Sequence, residues 1–180
     1  MALTTRFLQL LSVACSLAAC ATLPPAEPPL AMADLANAEY RSESLKGRAV
    51  RLSDGLYRQG PEPDAVPVPV LRLGTPTAAG DLNGDGVPDA AVIIIADRGG
   101  SDFRYELAAV VNEGGKPRHA ASVTLGERVK VLSLSIRSGV ITVDYLCPGL
   151  GDPEFCARKR QTEAYRLEGD RLGRVWGPVP

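Results

Sequence analysis

From about residue 38 onward, apolar and polar positions alternate, and glycine-rich turns interrupt the alternation. A period of two is typical of β-strands that bury one face. The run at 90–96, Ala-Ala-Val-Ile-Ile-Ile-Ala, is apolar throughout and has the length of one strand. It therefore predicts the central strand of the protein. Further strands are predicted over 105–111, 129–136, 141–146, 162–167 and 172–175.

The first part of the predicted domain contains two weaker strand patterns. Residues 49–52 and 56–58 flank Asp54-Gly55, which suits the positive φ of a tight turn, so the sequence predicts a hairpin there. Residues 66–73 alternate proline and arginine with apolar residues. Because proline lacks the amide hydrogen that an inner strand donates, this segment is predicted to be an edge strand.

Together these patterns predict a mainly β fold. The connections between the strands are short, which favours antiparallel pairing because parallel neighbours need long crossovers. We expect an antiparallel meander that forms a sandwich or an open barrel, with no large helices. The 18 glycines and 15 prolines are too many for a helical bundle and too few for a disordered chain. Residues 38–180 are predicted to form this single domain.

The chain begins with the pattern of an export signal over residues 1–19. Arg6 supplies a positive charge, and the apolar stretch 7–19 is shorter than the roughly 20 residues that span a bilayer as a helix. The signal ends at Leu17-Ala18-Ala19-Cys20, which resembles the bacterial lipobox and implies lipidation of Cys20. The alternative is an ordinary secretory peptide with an incidental cysteine.

Residues 20–37 are predicted to be a lipidated tether. Four prolines at 24–29 favour an extended, stiff chain, and the alanine-rich stretch 30–38 permits a short helix. A multiply acylated Cys20 would attach the protein to a membrane. We therefore expect a protein of the cell envelope. Because Ala21 is not the aspartate that favours inner-membrane retention, the outer membrane is the expected location.

Residues 81–89, Asp-Leu-Asn-Gly-Asp-Gly-Val-Pro-Asp, form an aspartate-rich segment that we call the aspartate loop. Oxygen-bearing side chains fall at its positions 1, 3, 5 and 9, and glycine at position 6 permits a sharp turn. Calcium binds about six to eight such oxygens from a tightly curled chain. The predicted ligands are the side chains of Asp81, Asn83, Asp85 and Asp89 and the carbonyl of Val87.

The aspartate loop resembles the DxDxDGxxD calcium loops of EF-hands, dockerins and FG-GAP-type repeats. The position 12 acid of an EF-hand would fall at Val92, inside the predicted strand, so Asp89 would have to coordinate directly. The alternative is a metal-free turn in which Asp and Asn cap their own backbone. Repulsion among three carboxylates favours a cation, and calcium suits the loop better than magnesium. We expect the calcium to be structural.

Four cysteines are present in the chain. Cys15 lies in the export signal and Cys20 is the lipidation site, which leaves Cys147 and Cys156. In the oxidising compartment of an exported protein a disulfide between them is expected, and it would contribute about 3 kcal/mol. A zinc site is the alternative, but it lacks further ligands because His119 is the sole histidine.

Charge and motifs exclude several classes of function. The net charge of −1 gives no basic footprint for nucleic acid. No G-x-S-x-G motif accompanies His119, which we place in a solvated hairpin turn. The C-terminal part is locally basic, at 158–160, 166, 171 and 174. We interpret this part as a solvated charged strand, with contact to an anionic envelope polymer as the alternative.

With these features, residues 35–175 resemble a family of bacterial secreted proteins and lipoproteins that carry a DxNxDGxxD calcium loop. The resemblance implies a fold and a location outside the cytoplasm, and it implies no enzymatic activity. The segments that carry it are 35–40, 50–57, 80–86, 89–92, 107–110 and 144–153.

These observations favour a non-enzymatic lipoprotein that acts as a binding or scaffold module at the membrane surface. Its expected partners are the membrane, through the N-terminal lipid, and an envelope polymer or another envelope protein. One alternative is a small hydrolase of envelope polymers that uses Asp97, Asp102 or Asp144 as acid or base. Another is an inhibitor or assembly partner that captures a chain at an exposed edge strand.

Overall fold

A computed structural model describes residues 27–58, 60, 70–97, 103–149 and 158–177. It confirms the mainly β fold without large helices. Within these ranges no helix has the length and apolar composition needed to cross a membrane. The elements are α1 (Met32–Ala36), β1 (Glu39–Arg41), a 3₁₀ turn (Glu43–Leu45), β2 (Ala49–Arg51), β3 (Leu56–Arg58), β4 (Val70–Gly80), β5 (Asp89–Asp97), β6 (Phe103–Glu113), β7 (Lys116–Glu127), β8 (Lys130–Arg137), β9 (Val140–Cys147), β10 (Lys159–Glu168) and β11 (Arg171–Val175).

The strands form two larger sheets and one small pair. Five strands lie in the order β3-β4-β5-β6-β7 and four in the order β11-β10-β9-β8, while β1 pairs with β2. Every pairing is antiparallel and joins strands that are consecutive in sequence, so both larger sheets are meanders. The two sheets approach each other at both sides, β4 beside β8 and β7 beside β11. The predicted antiparallel meander is thus confirmed.

The apolar run at 90–96 lies in β5, the middle strand of the five-stranded sheet, as predicted. Its side chains enter two separate cores on opposite faces of the sheet. Ile93 packs between the sheets with Ile141 and Val143 of the four-stranded sheet. Ile94 packs on the other face with Leu35 and further residues from before β3. Burial on both faces explains why this strand is apolar at every position.

Residues 27–55, the N-terminal segment, cover the outer face of the five-stranded sheet. Leu35, Tyr40 and Leu52 are buried there, and Tyr40 Oη donates a hydrogen bond to the Leu35 carbonyl at 2.9 Å. Helix α1 lies within the stretch 30–38 where the sequence permits a short helix. The part of the predicted tether from residue 27 onward therefore packs against the sheet.

The predicted hairpin of 49–52 with 56–58 was wrong. The turn is present, with positive φ at Asp54 and Gly55, but β2 pairs with β1 and β3 pairs with β4. At this turn the chain passes from the N-terminal segment into the five-stranded sheet. Gly55 contacts both, since its N–H donates to the carbonyl of Ala36 and its carbonyl accepts from Leu73 N. The tight turn is as predicted, and Ser53 and Leu56 form an isolated antiparallel bridge across it. The two strands on either side nevertheless pair with the strands that precede and follow them, and not with each other.

The predicted edge strand over 66–73 was wrong where the structure describes it. Residues 66–69 lie outside the described ranges. From Val70 onward, β4 is hydrogen-bonded to β3 on one side and to β5 on the other. The three-residue strand β3 covers Val70–Arg72, and β4 then continues to Gly80.

Candidate functional site

The aspartate loop connects the end of β4 to the start of β5. The carboxylate of Asp81 accepts hydrogen bonds from Gly84 N at 2.6 Å and Gly86 N at 3.0 Å. The bond from Gly84 is the largest cause that holds the pKa of Asp81 below its ordinary value. Gly84 and Gly86 have φ of 85° and 82°, a conformation that favours glycine. The first aspartate thus curls the loop around its own side chain.

Asn83 and Asp85 contact each other within the same turn. Asn83 Nδ2 donates to Asp85 Oδ2 at 2.7 Å, and Asp85 N donates to Asn83 Oδ1 at 3.0 Å. Val87 N donates to Asp85 Oδ1 at 2.7 Å. The structure therefore brings the side chains at loop positions 1, 3 and 5 onto one tight turn, together with the backbone of position 7.

Asp89 occupies a different environment, because it is only 1% exposed. Its Oδ2 accepts a hydrogen bond from Leu82 N at 2.8 Å, and its Oδ1 accepts one from Asn112 N at 2.9 Å. Burial is the largest cause that raises its pKa, the two backbone bonds oppose it, and the charges of Asp85 and Asp81 raise it further. In the structure Asp89 anchors the loop to the sheet.

The described residues contain no group of three or more His, Cys, Asp or Glu side chains that converge on a metal position. In the loop, both carboxylate oxygens of Asp89 accept hydrogen bonds from backbone amides. Each carboxylate oxygen has two lone pairs, so one hydrogen bond leaves an acceptor position on each atom. The oxygen donors of the loop fit calcium chemistry, while their arrangement here is that of a hydrogen-bonded turn.

Asn112 is an anchor that the sequence analysis did not find. It is 3% exposed, and its Nδ2 donates to the carbonyls of Pro28 at 2.9 Å and Pro88 at 3.2 Å. Its Oδ1 accepts from Gly115 N at 2.8 Å. One amide therefore joins the aspartate loop, the N-terminal segment and the β6–β7 turn. The sequence signal that could have indicated this role is the position of Asn112, a polar residue between the apolar strand pattern of 105–111 and the two glycines at 114 and 115.

Solvent reaches the aspartate loop through a groove of about 450 Å³. Asp81 and Asn83 form one wall, Ser138 contributes from the β8–β9 turn, and Arg166 from β10. An ion could therefore reach the outer side of the loop without opening the sandwich.

A second concave region, which we call the β7 cleft, lies between the N-terminal segment and β7 and has a volume of about 620 Å³. Our placement of His119 in a solvated turn was wrong, because the β6–β7 turn ends at Gly115 and His119 lies within β7, half-buried in this cleft. Its Nε2 lies 2.7 Å from Ser122 Oγ, and its ring meets that of Tyr40 edge-on at 6.0 Å.

The environment of His119 predicts a pH-dependent stability. Burial, followed by the charges of Arg41 and Arg118, lowers its pKa from 6.5 to about 4. Below pH 6.5 the unfolded chain binds a proton at this residue and the folded chain does not, so the free energy of unfolding falls as the pH falls toward 4. We expect a loss of up to about 3 kcal/mol from this residue in urea unfolding between pH 7 and pH 4.

The variant His119→Gln provides the comparison, because the carboxylates that titrate in the same range remain in it. Its stability should fall less steeply with acid than that of the parent. Equal slopes in the two proteins would show that His119 does not carry the effect.

Glu106 is a second buried polar residue that the sequence analysis missed, although it is the charged position inside the apolar pattern of 105–111. It is 1% exposed, and its Oε1 accepts hydrogen bonds from Ser42 Oγ at 2.8 Å and Ser44 Oγ at 3.1 Å. These bonds attach the 3₁₀ turn of the N-terminal segment to β6. The role of Glu106 is therefore to fix one wall of the β7 cleft.

The carboxylates named for a hydrolase lie apart. Asp97 is at the end of β5 and pairs with Arg72 at 3.1 Å, whereas Asp144 is in β9 of the other sheet and pairs with Arg160. The hydrogen bond from Arg160 is the largest cause that lowers the pKa of Asp144, the opposite of what a general acid needs. Asp102 lies outside the described residues.

Two predicted modification sites also fall outside the described residues, the lipidation site Cys20 and the disulfide partner Cys156. Cys147 is described at the end of β9, where its Sγ contacts the Lys159 carbonyl at 3.5 Å and Gln161 Nε2 at 3.6 Å. Both the lipidation and the disulfide stay predictions.

The described structure defines a mainly β protein in which two antiparallel meanders pack face to face and an aspartate-rich loop joins two strands of the larger sheet. Comparison of the chain with models of protein families, with curated proteins and with solved structures found no match. The resemblance to bacterial secreted proteins and lipoproteins therefore stays a prediction.

Proposed function

We propose that this protein is a lipid-anchored envelope protein whose β domain holds one structural calcium ion in the aspartate loop and acts as a non-enzymatic binding or scaffold module. The lipobox-like residues before Cys20 support a location in the cell envelope. The lipid on Cys20 would attach the chain to the membrane, with the outer membrane as the favoured location.

The observation that carries the calcium proposal is the turn formed by Asp81, Asn83 and Asp85. Their side chains share one loop whose curl is already fixed by the bonds from Gly84 N and Gly86 N to Asp81. Calcium needs oxygens from a curled chain, and a turn that is formed beforehand lowers the ordering cost of binding. The carbonyl of Val87 and the carboxylate of Asp89 would complete the ligand set.

A non-enzymatic role is supported by the partners of the acidic residues. Asp97 and Asp144 each form an ion pair, and Asp89 is committed to two backbone amides. An acid–base pair for hydrolysis needs carboxylates whose environments push their pKa values apart at one cleft. In the described part of the chain, the acids named for that role serve to join strands.

Calcium should bind the full-length chain and stabilise it. At a calcium concentration of about one hundred times Kd, the free energy of unfolding should rise by about 2.7 kcal/mol, which corresponds to about 5–10 °C in Tm. Thermal denaturation in calcium and in chelator measures this shift, and isothermal titration calorimetry measures the affinity.

Asp85→Asn should weaken calcium binding by about tenfold or more, because it removes one ligand charge. Asp54→Asn is the matched control, since Asp54 is an exposed turn residue outside the aspartate loop. If calcium gives no binding heat and leaves Tm unchanged, the proposed metal site is excluded.

A further inference from the structure

The β7 cleft has the size of a ligand site and charged walls. Its volume of about 620 Å³ falls within the range of small-molecule pockets, about 300–1,000 Å³. The charged and titratable side chains that face it, apart from His119, are three arginines and three acids: Arg41, Arg51, Arg118, Glu39, Glu43 and Asp170. The arrangement of these charges, and not their sum, determines what the cleft attracts.

The end of the cleft at His119 is electropositive. The charges that act on the His119 ring are those of Arg41 and Arg118, and both disfavour its protonation. Of the acids, Glu43 accepts a hydrogen bond from the hydroxyl of Thr124 at 2.7 Å. The guanidinium groups of Arg41 and Arg118 therefore make the His119 end the part of the cleft that attracts an anion.

Both guanidinium groups retain donors for a ligand. Within the described ranges, the side chain of Arg41 forms no salt bridge or hydrogen bond. Arg118 pairs with Glu113 through its Nε, which leaves its two terminal nitrogen atoms for another acceptor. Guanidinium groups bind carboxylates and phosphates through paired N–H donors.

The hydroxyl of Ser122 is a third donor. Nδ1 of His119 is buried without a partner, while Nε2 contacts Ser122 Oγ. Because an unpaired buried N–H is rarer than an unpaired acceptor, we place the proton on Nε2, which then donates to Ser122 Oγ. The hydroxyl hydrogen of Ser122 is thereby left to donate toward the cleft.

We propose that the β7 cleft binds an oxyanion, the carboxylate or phosphate group of a polar ligand, between Arg41, Arg118 and the hydroxyl of Ser122. This site is separate from the aspartate loop and depends on neither calcium nor the lipid.

The single histidine makes the test direct. In the untagged full-length chain, the imidazole signals in a proton NMR spectrum belong to His119 without further assignment. Sodium phosphate or sodium acetate is added at pH 7, with sodium chloride of equal ionic strength as the reference. We expect a saturable shift of the His119 signals with Kd of about 1–10 mM.

Arg41→Gln and Arg118→Gln should each raise the Kd for the anion by about fivefold or more, because a charge-assisted hydrogen bond is lost. Both side chains are exposed, so neither change disturbs the core. Arg137→Gln is the matched control, an exposed arginine at the end of β8, and it should leave Kd unchanged.

Saturation by phosphate alone assigns a phosphoryl ligand, and saturation by acetate alone assigns a carboxylate. Saturation by both supports the oxyanion class as stated. The proposal is overturned if neither anion gives a saturable shift beyond the chloride reference up to about 50 mM, or if the two cleft variants bind as the parent does.

Discussion

Asp89→Ala should destabilise the protein by about 2–6 kcal/mol, even when calcium is removed by a chelator. The carboxylate of Asp89 accepts hydrogen bonds from the backbone amides of Leu82 and Asn112, and Asp89 is only 1% exposed. Alanine would leave two donors without a partner in a site that water barely reaches. Each such donor costs about 1–3 kcal/mol, which sets the size of the expected loss.

Two further variants separate the anchoring role of Asp89 from charge and from metal binding. Asp89→Asn keeps one acceptor oxygen, so about half of the loss is expected. Asp85 lies in the same loop but on its exposed side, where a substitution removes only local hydrogen bonds. Asp85→Ala should therefore lower the free energy of unfolding by less than about 1 kcal/mol in chelator.

Urea unfolding in chelator measures all three variants. Equal losses for Asp89→Ala and Asp85→Ala would show that the buried bonds to the sheet do not hold the loop. A small loss for Asp85→Ala in chelator and a large one in calcium would connect the calcium site to the outer side chains.

The strands could be predicted from the sequence because their signals are local. A period of two and a glycine turn are visible within a dozen residues, and they predicted the four strands that form the β8–β9 and β10–β11 hairpins. The run at 90–96 gave β5, because only a strand covered on both faces tolerates seven apolar residues in succession.

Pairing across layers could not be predicted in the same way. The partner of β2 is β1, and the turn at Asp54-Gly55 reads equally well as a hairpin or as a crossing between sheets. What decides between them is the burial of Leu52 against the outer face of the five-stranded sheet, a contact that no local pattern expresses.

The candidate sites divide in the same manner. The aspartate loop is a contiguous motif, so its residues are visible in sequence. The partner of Asp89 at Asn112 and the partner of Glu106 at Ser42 are separated by 23 and 64 positions. The β7 cleft depends on β1 lying over β7, and its charges become neighbours only in the folded chain.

Ile94→Ala should destabilise the protein as much as Ile93→Ala, by about 2–5 kcal/mol each. The two residues are consecutive in β5 and point to opposite faces of the sheet, and they are 1% and 0% exposed. Ile93 is covered by the four-stranded sheet, whereas Ile94 is covered by the N-terminal segment. Equal losses of stability in the two variants therefore require that the four-stranded sheet and the N-terminal segment both pack closely against β5.

The comparison tests whether the chain before β3 is an integral layer of the domain. Leu132→Ala is the control, because Leu132 is 40% exposed in β8 and its loss should be within about 1 kcal/mol. If the N-terminal segment were a loosely attached tether, Ile94 would face water and its replacement would cost as little as that of Leu132. A large loss for Ile93 with a small one for Ile94 would contradict the packed segment and, with it, the wall of the β7 cleft that carries Arg41.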